Sequence, residues 1–155
     1  MTVAHDSSAQ LLELWLSART AVADLERALG ERIQTECQAS LAAYTLLCTL
    51  TAPDDPLNQQ AIAAVLGINK SSVSRQVDAA VKDGFATVDV SPLSRREKKV
   101  VVTARGRSVV DTGNRVLAEF AAGLDTDDAA HAIQILTALS ARTDDSAPGQ
   151  SRVGR

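Results

Sequence analysis

At 155 residues the chain suits one compact domain with helical extensions, and a hydrophobic content of 45% is enough for a core. Aromatic residues make up only 3%, so that core is aliphatic, and a formal net charge of −3 by itself argues against a nucleic-acid binder. Residues 1–9 read as polar without a secretory signal, and no apolar run approaches the roughly 18 residues a membrane span needs, so a cytoplasmic protein with no membrane partner is expected.

After a polar tail (1–7), the spacing predicts a helix from Ser8 to Leu29, ended by Gly30. Leu11, Trp15, Ala18, Val22, Leu25 and Leu29 recur at intervals of four and three, a heptad-like stripe. Leu12, Leu14 and Leu16 widen it beyond one contact face, which points to burial against a second subunit as well as the helix's own core. A second helix is expected from Ile33 to Leu50, with Ile33, Cys37, Leu41, Tyr44 and Cys48 on one face. It stops before the two prolines of Pro53-Asp54-Asp55-Pro56.

From Asn58 to Thr103 the signals change. A short helix over Asn58–Leu66 carries Ile62, Val65 and Leu66 as its stripe, with Asn58 as N-cap and Gly67 as stop. Asn69 can cap the next helix, expected over Lys70–Lys82. There Val73, Val77, Ala80 and Val81 follow the spacing of one buried face. Two short helices joined by a glycine-containing turn fit a helix-turn-helix.

The outward face of the second helix carries Ser71, Ser72, Arg75, Asp78 and Ala79, flanked by Ser74 and Gln76. Small hydroxyl side chains let a backbone sit close in a major groove, and Arg and Gln reach base edges or phosphates. Taken alone, the same face suits an ordinary solvated helix equally well. The segment C-terminal to this helix decides between the two. Asp83-Gly84 ends the helix, Phe85–Val90 and Lys98–Thr103 read as strands, and Ser91–Glu97 joins them through Ser94, Arg95 and Arg96. Such a ribbon makes a wing, whose arginines can follow a DNA backbone or enter a minor groove.

The charge distribution agrees. Between Ile68 and Arg107 there are nine Lys or Arg and four acids, a local excess of five positive charges, so the remainder of the chain carries −8. A basic segment in an acidic protein is an electrostatic footprint for nucleic acid.

Beyond the wing, Thr103 can cap a helix running to Ala122 with Val109, Val110, Val116, Leu117 and Phe120 as its stripe. Gly113 inside it marks either a close helix crossing or a weak point. Gly123 ends it. Asp125–Asp128 open a last helix with Ala129, Ala132, Ile133, Leu136 and Leu139 on its apolar face. The fold expected is mainly α with a small β-wing. A winged helix-turn-helix lobe (31–103) is joined to dimerisation helices at 8–30 and 104–142, with flexible tails at 1–7 and 143–155. Leu11, Trp15, Phe120, Ile133 and Leu136 are the interface candidates.

The central residues resemble the MarR-type (multiple antibiotic resistance regulator) transcription factors. The matching pieces are Ser71-Ser72-Val73-Ser74-Arg75 with Val77-Asp78, then Asp83-Gly84-Phe85. Pro92, Arg95-Arg96, Val100 and Thr103-Ala104-Arg105-Gly106-Arg107 come after them in the same order. The resemblance covers residues 10–142 and is specific in its centre. In the family the wing carries Asp where Ser94 stands here, and another acid is common at Ser91. The ion pair that positions the family's wing arginine therefore lacks its acid.

The resemblance implies a homodimer through the first, fifth and sixth helices, repressing from a palindromic operator. It also implies release by a small aromatic or phenolic ligand bound between the dimer helices and the DNA-binding lobe, with Trp15 and Tyr44 as pocket candidates. DNA contacts are expected from Lys70, Ser71, Ser72, Ser74, Arg75 and Gln76 of the helix and from Ser94, Arg95 and Arg96 of the wing.

Other classes stay open. Winged helices also serve as protein-interaction modules, and Cys37 or Cys48 could make an oxidation-sensing regulator. Some MarR-type relatives sense oxidants through a cysteine near the start of the first helix, where this chain has none. On one continuous helix the two cysteines would lie roughly 16 Å apart, too far for a disulfide within one chain. His5 and His131 are isolated, so no metal is expected. Nucleophile elbows, phosphate loops and other catalytic constellations are absent, so neither an enzyme nor a cofactor is expected.

Overall fold

In a computed structural model of the chain, residues 3–52, 57–90, 98–123 and 125–145 are described. Among them, six helices and two strands run in the order α1 (Val3–Cys37), α2 (Leu41–Thr51), α3 (Gln59–Leu66), α4 (Lys70–Lys82), β1 (Ala86–Val90), β2 (Lys98–Val102), α5 (Ala104–Ala121) and α6 (Thr126–Asp145). Two units are distinguished, residues 1–118 and 119–155. No helix among the described residues is long and apolar enough to cross a membrane.

The largest difference from the sequence expectation is at the N-terminus. α1 begins at Val3, runs through Gly30 and continues to Cys37, about 52 Å at 1.5 Å per residue. A helical glycine costs about 1 kcal/mol relative to alanine but does not end a helix by itself. The boundary drawn at residues 30 and 31 therefore falls inside α1. The chain breaks instead at Gln38, whose φ of 53° is left-handed, and restarts at Ser40, whose Oγ accepts from the Ala43 amide at 3.1 Å. The single helix expected from Ile33 to Leu50 is thus the end of α1 followed by α2.

The core of the first unit is aliphatic apart from Phe85 and Tyr44. Ile33 of α1, Leu46 and Leu47 of α2, Ile62 of α3, Val73 and Val77 of α4, Val100 of β2 and Val116 of α5 are all fully enclosed. Two expected core positions are not. Val65 is 66% exposed and Val81 40% exposed. At 100° per residue, Val65 stands roughly 80° from the line through Ile62 and Leu66, and Val81 roughly 70° from the line through Val73, Val77 and Ala80. Helices this short bury one narrow line.

The strands pair antiparallel, Ala86 opposite Val102 and Val90 opposite Lys98. A third piece, with no signal in the sequence pattern, lies beside them: Asn58 forms an isolated bridge with Lys99, and the Val100 amide donates to the Leu57 carbonyl at 3.5 Å. The segment entering α3 is thereby tied to the middle of β2, so the start of the helix-turn-helix and the wing share one framework.

In the second unit, α6 opens on Asp125, whose Oδ1 accepts from the Asp127 amide at 2.8 Å. It extends to Asp145, beyond the expected end at 142. Ile133 and Leu136 on its apolar face are exposed, and Phe120 near the end of α5 is half-buried.

Candidate nucleic-acid interface

The helix-turn-helix is built by local polar contacts. Asn58 Oδ1 accepts from the Ala61 amide at 2.9 Å and starts α3. Gly67 ends it in the left-handed conformation, φ 63°, which L side chains rarely adopt. Two residues later Asn69 Oδ1 accepts from the Ser72 amide at 2.8 Å and from the Ser71 hydroxyl at 2.6 Å. The cap satisfies an orphan amide of α4, and it also commits the Ser71 proton inward. Ser71 is left with outward lone pairs, able to accept from a base amino group.

Buried Val73, Val77 and Ala80 pin α4 by one side. The opposite side presents Lys70, Ser71 and Arg75 to solvent, with Ser72, Ser74 and Gln76 half-buried along its margins. Arg75 Nη2 rests 3.3 Å from Ser72 Oγ, a contact weak enough to yield to a nucleic-acid partner. Lys70, Ser71, Ser74 and Arg75 together line an open hollow of about 590 Å³, and Gln59 closes its far side. Gln59 has no place in the sequence-derived contact set. Its one signal is its position as the first residue of α3, where a side chain projects beside free amides.

The wing is anchored from the opposite end. Thr103 Oγ1 donates to the Gly84 carbonyl at 2.7 Å and accepts from the Gly106 amide at 3.1 Å, joining the end of α4 to the start of α5. Arg107 Nη1 donates to the Val102 carbonyl at 2.8 Å, and the Arg105 guanidinium stands 5.1 Å from the centre of the Phe85 ring. Two of the nine cations counted in the basic segment therefore hold the wing's base together. Lys99 is half-buried opposite Asp89 in the strand register. Ser94, Arg95 and Arg96 lie outside the described residues.

The other candidates fall elsewhere. Leu11 and Trp15 are exposed on α1, with the Arg19 guanidinium 5.5 Å from the Trp15 ring centre. Trp15 lines a shallow groove on α1 with Ala18, Arg19 and Val22. Tyr44 is buried, its hydroxyl donating to Asn114 Oδ1 at 2.7 Å, so the two aromatic pocket candidates occupy different surroundings. Burial, then the neighbouring Cys48, pushes the Tyr44 hydroxyl well above its ordinary value.

Gly113 is resolved as a close crossing. A Cβ there would stand 2.3 Å from Tyr44 Cε2 and 3.1 Å from Ile33 Cδ1.

Cys37 ends α1 and Cys48 lies on α2, so the separation derived from one continuous helix does not apply. Both are free and half-buried. Burial pushes each thiol up, reinforced at Cys37 by Glu36 and opposed there by Arg115, and opposed at Cys48 by its contact with Tyr44. Raised thiols are poor nucleophiles near neutral pH. His131 is exposed on α6, and among the described residues no group of three or more His, Cys, Asp or Glu is placed to hold a metal.

A cleft of about 340 Å³ opens between the paired helices α1 and α2 and the helix-turn-helix. Leu41, Ala42 and Thr45 of α2 form one wall, and Leu66 with Ile68 another. Glu26 of α1 and Gln76 of α4 complete it.

This architecture, with capped helix-turn-helix, two-stranded wing and flanking long helices, is the MarR-type winged helix-turn-helix fold. No family model matches the sequence, and no curated protein matches it. Solved structures carry the likeness. The chain is similar to a MarR/EmrR family transcriptional regulator from Acinetobacter sp. ADP1 at a TM-score of 0.71 and 15% identity, over 94% of this chain and 99% of that one. The M. tuberculosis transcriptional regulator MosR in complex with DNA matches at 0.66 and 19% identity, over 83% of this chain and 96% of that one. CouR from Rhodococcus jostii RHA1 bound to p-coumaroyl-CoA matches at 0.66 and 19% identity, over 86% and 92%.

Proposed function

We propose that the chain is a sequence-specific DNA-binding transcriptional regulator, a repressor that binds a palindromic operator as a homodimer and is released by a small ligand. The observation that carries this reading is α4: a helix capped by Asn69, pinned through Val73 and Val77, and showing solvent a polar face centred on Ser71 and Arg75. That face leads directly into a ribbon anchored at Thr103. α4 enters the major groove, where Arg75 and Gln76 reach base edges and Lys70 with Gln59 reaches phosphate. Ser94, Arg95 and Arg96 at the wing tip track the adjacent backbone or minor groove.

Dimerisation uses α1, α5 and α6, through Leu11, Trp15, Phe120, Ile133 and Leu136. A two-fold axis then sets two copies of α4 about 34 Å apart, one turn of DNA. The MosR neighbour in complex with DNA supports the nucleic-acid partner, and the CouR neighbour bound to p-coumaroyl-CoA supports a small effector. The cleft between α1–α2 and α3–α4 is the effector site in this reading. Occupancy shifts the population between dimer geometries that do and do not fit the operator. The protein acts in the cytoplasm and is not an enzyme.

Selection from a fragmented genomic DNA library at several salt concentrations tests this, beside an Arg75→Ala, Arg95→Ala double variant. Wild type is expected to enrich an imperfect palindrome that the double variant fails to retain. If reduced wild type enriches nothing at low salt, the DNA reading fails and a protein-interaction module takes its place.

A further inference from the structure

The cleft between α1–α2 and the helix-turn-helix has an unbalanced chemistry. Its walls are apolar where Leu41, Leu66 and Ile68 line it. Glu26 is its one charged lining residue; Arg19 shares with Glu26 only the separate groove on α1, where its guanidinium lies by the Trp15 ring. The acids of α1 that do form ion pairs are Asp24, Glu31 and Glu36, with Arg27 or Arg32. Glu26 has no such partner among the described residues, and neither Glu26 nor Gln76 makes a hydrogen bond there. The Thr45 hydroxyl gives its proton to the Leu41 carbonyl at 2.8 Å, so it turns lone pairs rather than a donor toward the cleft. The polar lining is thus a carboxylate, a hydroxyl that accepts, and the Gln76 amide.

We propose that this cleft binds a small organic cation, an ammonium or amidinium group on an apolar body, and that its occupant engages Gln76 and so competes with DNA for α4. A carboxylate ligand would bring its charge against Glu26 with no lining cation to offset it. A cation gains a charge-assisted hydrogen bond there and keeps its apolar part against Leu41, Leu66 and Ile68. The volume, about 340 Å³, lies at the lower end of the range for small-molecule sites and suits a single-ring ligand. Because Glu26 belongs to α1 and Gln76 to α4, a ligand touching both fixes the angle of α4 against α1. By linkage, the factor by which it weakens DNA binding equals the factor by which DNA weakens it. The second half of this proposal rests on the DNA-binding reading; the first does not.

The test uses the full chain and three ligands of one shape: benzamidinium, benzamide and benzoate, titrated calorimetrically into wild type and Glu26→Gln. Position 26 is exposed and outside the DNA-contacting face, so the variant keeps its fold and its ligand-free DNA affinity, checked by thermal midpoint and operator binding. Benzamidinium is expected to bind wild type at least about tenfold more tightly than either analogue, and Glu26→Gln to erase that preference. Equal affinities, preference for benzoate, selectivity that survives Glu26→Gln, or no binding of any of the three would overturn the proposal. In the DNA arm, benzamidinium is expected to weaken operator binding by wild type and not by the variant. Cation selectivity without that weakening overturns the competition at Gln76. A protein that selects the cation but binds no DNA would sink the regulator reading and leave the site standing.

Discussion

A methyl group at position 113 would have nowhere to go. The Tyr44 ring occupies that space, held by its hydroxyl bond to Asn114 and backed by Ile33. Gly113→Ala is therefore expected to destabilise the fold by ~1–3 kcal/mol, the range for overpacking a filled core. The penalty should shrink when Tyr44→Ala is added. A double-mutant cycle from denaturant midpoints measures that coupling, and additive effects would show that the two residues do not meet. Asn69 acts at a helix end rather than in the core. Its side chain satisfies the Ser72 amide and fixes the Ser71 hydroxyl, so Asn69→Ala should cost ~1 kcal/mol of stability. It should also weaken DNA binding beyond what the fold loses, because Ser71 becomes free to rotate. Unchanged DNA affinity at saturating stability would remove Ser71 from the contact set.

Residues of this kind differ in how visible they are beforehand. Asn58, Gly67 and Asn69 act on their own neighbours, and each carries its conformation in its side chain or in the lack of one. The limits of α3 and α4 are accordingly readable from sequence. Tyr44 and Asn114 are 70 positions apart, and nothing local announces their bond. Gly30 misleads because a glycine ends a helix only when the chain adopts a left-handed turn there. That turn falls at Gln38, a residue with no such preference. Val65 and Val81 have the right spacing for a broad buried stripe, and only the tertiary packing shows that the stripe is narrow.

Among the elements, α1 poses the largest energetic question. Leu11, Leu12, Leu14, Trp15, Leu16, Val22 and Leu25 are all exposed along it. A patch that size on an isolated chain favours association, and a second copy of the chain covers it in the dimer we propose. Trp15 makes this measurable, since it is the single tryptophan of the chain. Diluting wild type should shift its emission to longer wavelength as subunits part. Leu11→Glu, Trp15→Glu should sediment as a monomer at concentrations where wild type is dimeric. A variant that stays dimeric would move the interface off this stretch of α1. The helix α4 itself is legible because its caps and its stripe agree. The wing's attachment is less so, since Arg105 and Arg107 look like further cations for DNA and instead brace Phe85 and Val102.

For the molecule as a whole, pH and salt act through different groups. Cys37, Cys48 and Tyr44 all release their protons less readily in the folded state, chiefly through burial. Between its unfolded and folded values such a group binds more protons folded than unfolded, so stability falls as pH rises. The loss should begin near the ordinary thiol value of 9.0 and continue past the ordinary tyrosine value of 10.0. Well below the ordinary thiol value these three groups contribute no slope. Thermal midpoints across alkaline pH check this, and Cys37→Ser, Cys48→Ser should flatten the first part of the decline. A midpoint insensitive to alkali would mean that both thiols are solvated.

Salt acts on the other asymmetry, a basic segment of +5 within a chain of net −3. Each phosphate contacted lowers log affinity by about 0.9 per log unit of salt. The acidic remainder repels DNA at long range, so in the regulator we propose binding rests on a small number of close phosphate contacts. Arg105 and Arg107 are engaged with the protein itself, and the cations of the contact set we propose are Lys70, Arg75, Arg95 and Arg96. Arg95→Ala, Arg96→Ala should therefore reduce the magnitude of the salt slope by close to two contacts' worth, about 1.8. Lys70→Ala should remove about 0.9. Arg107→Ala should leave the slope nearly unchanged and instead lower the thermal midpoint. A slope that falls as much for Arg107→Ala as for the wing arginines would add Arg107 to the DNA-contacting set and break the division of labour between cations that hold the wing and cations that use it.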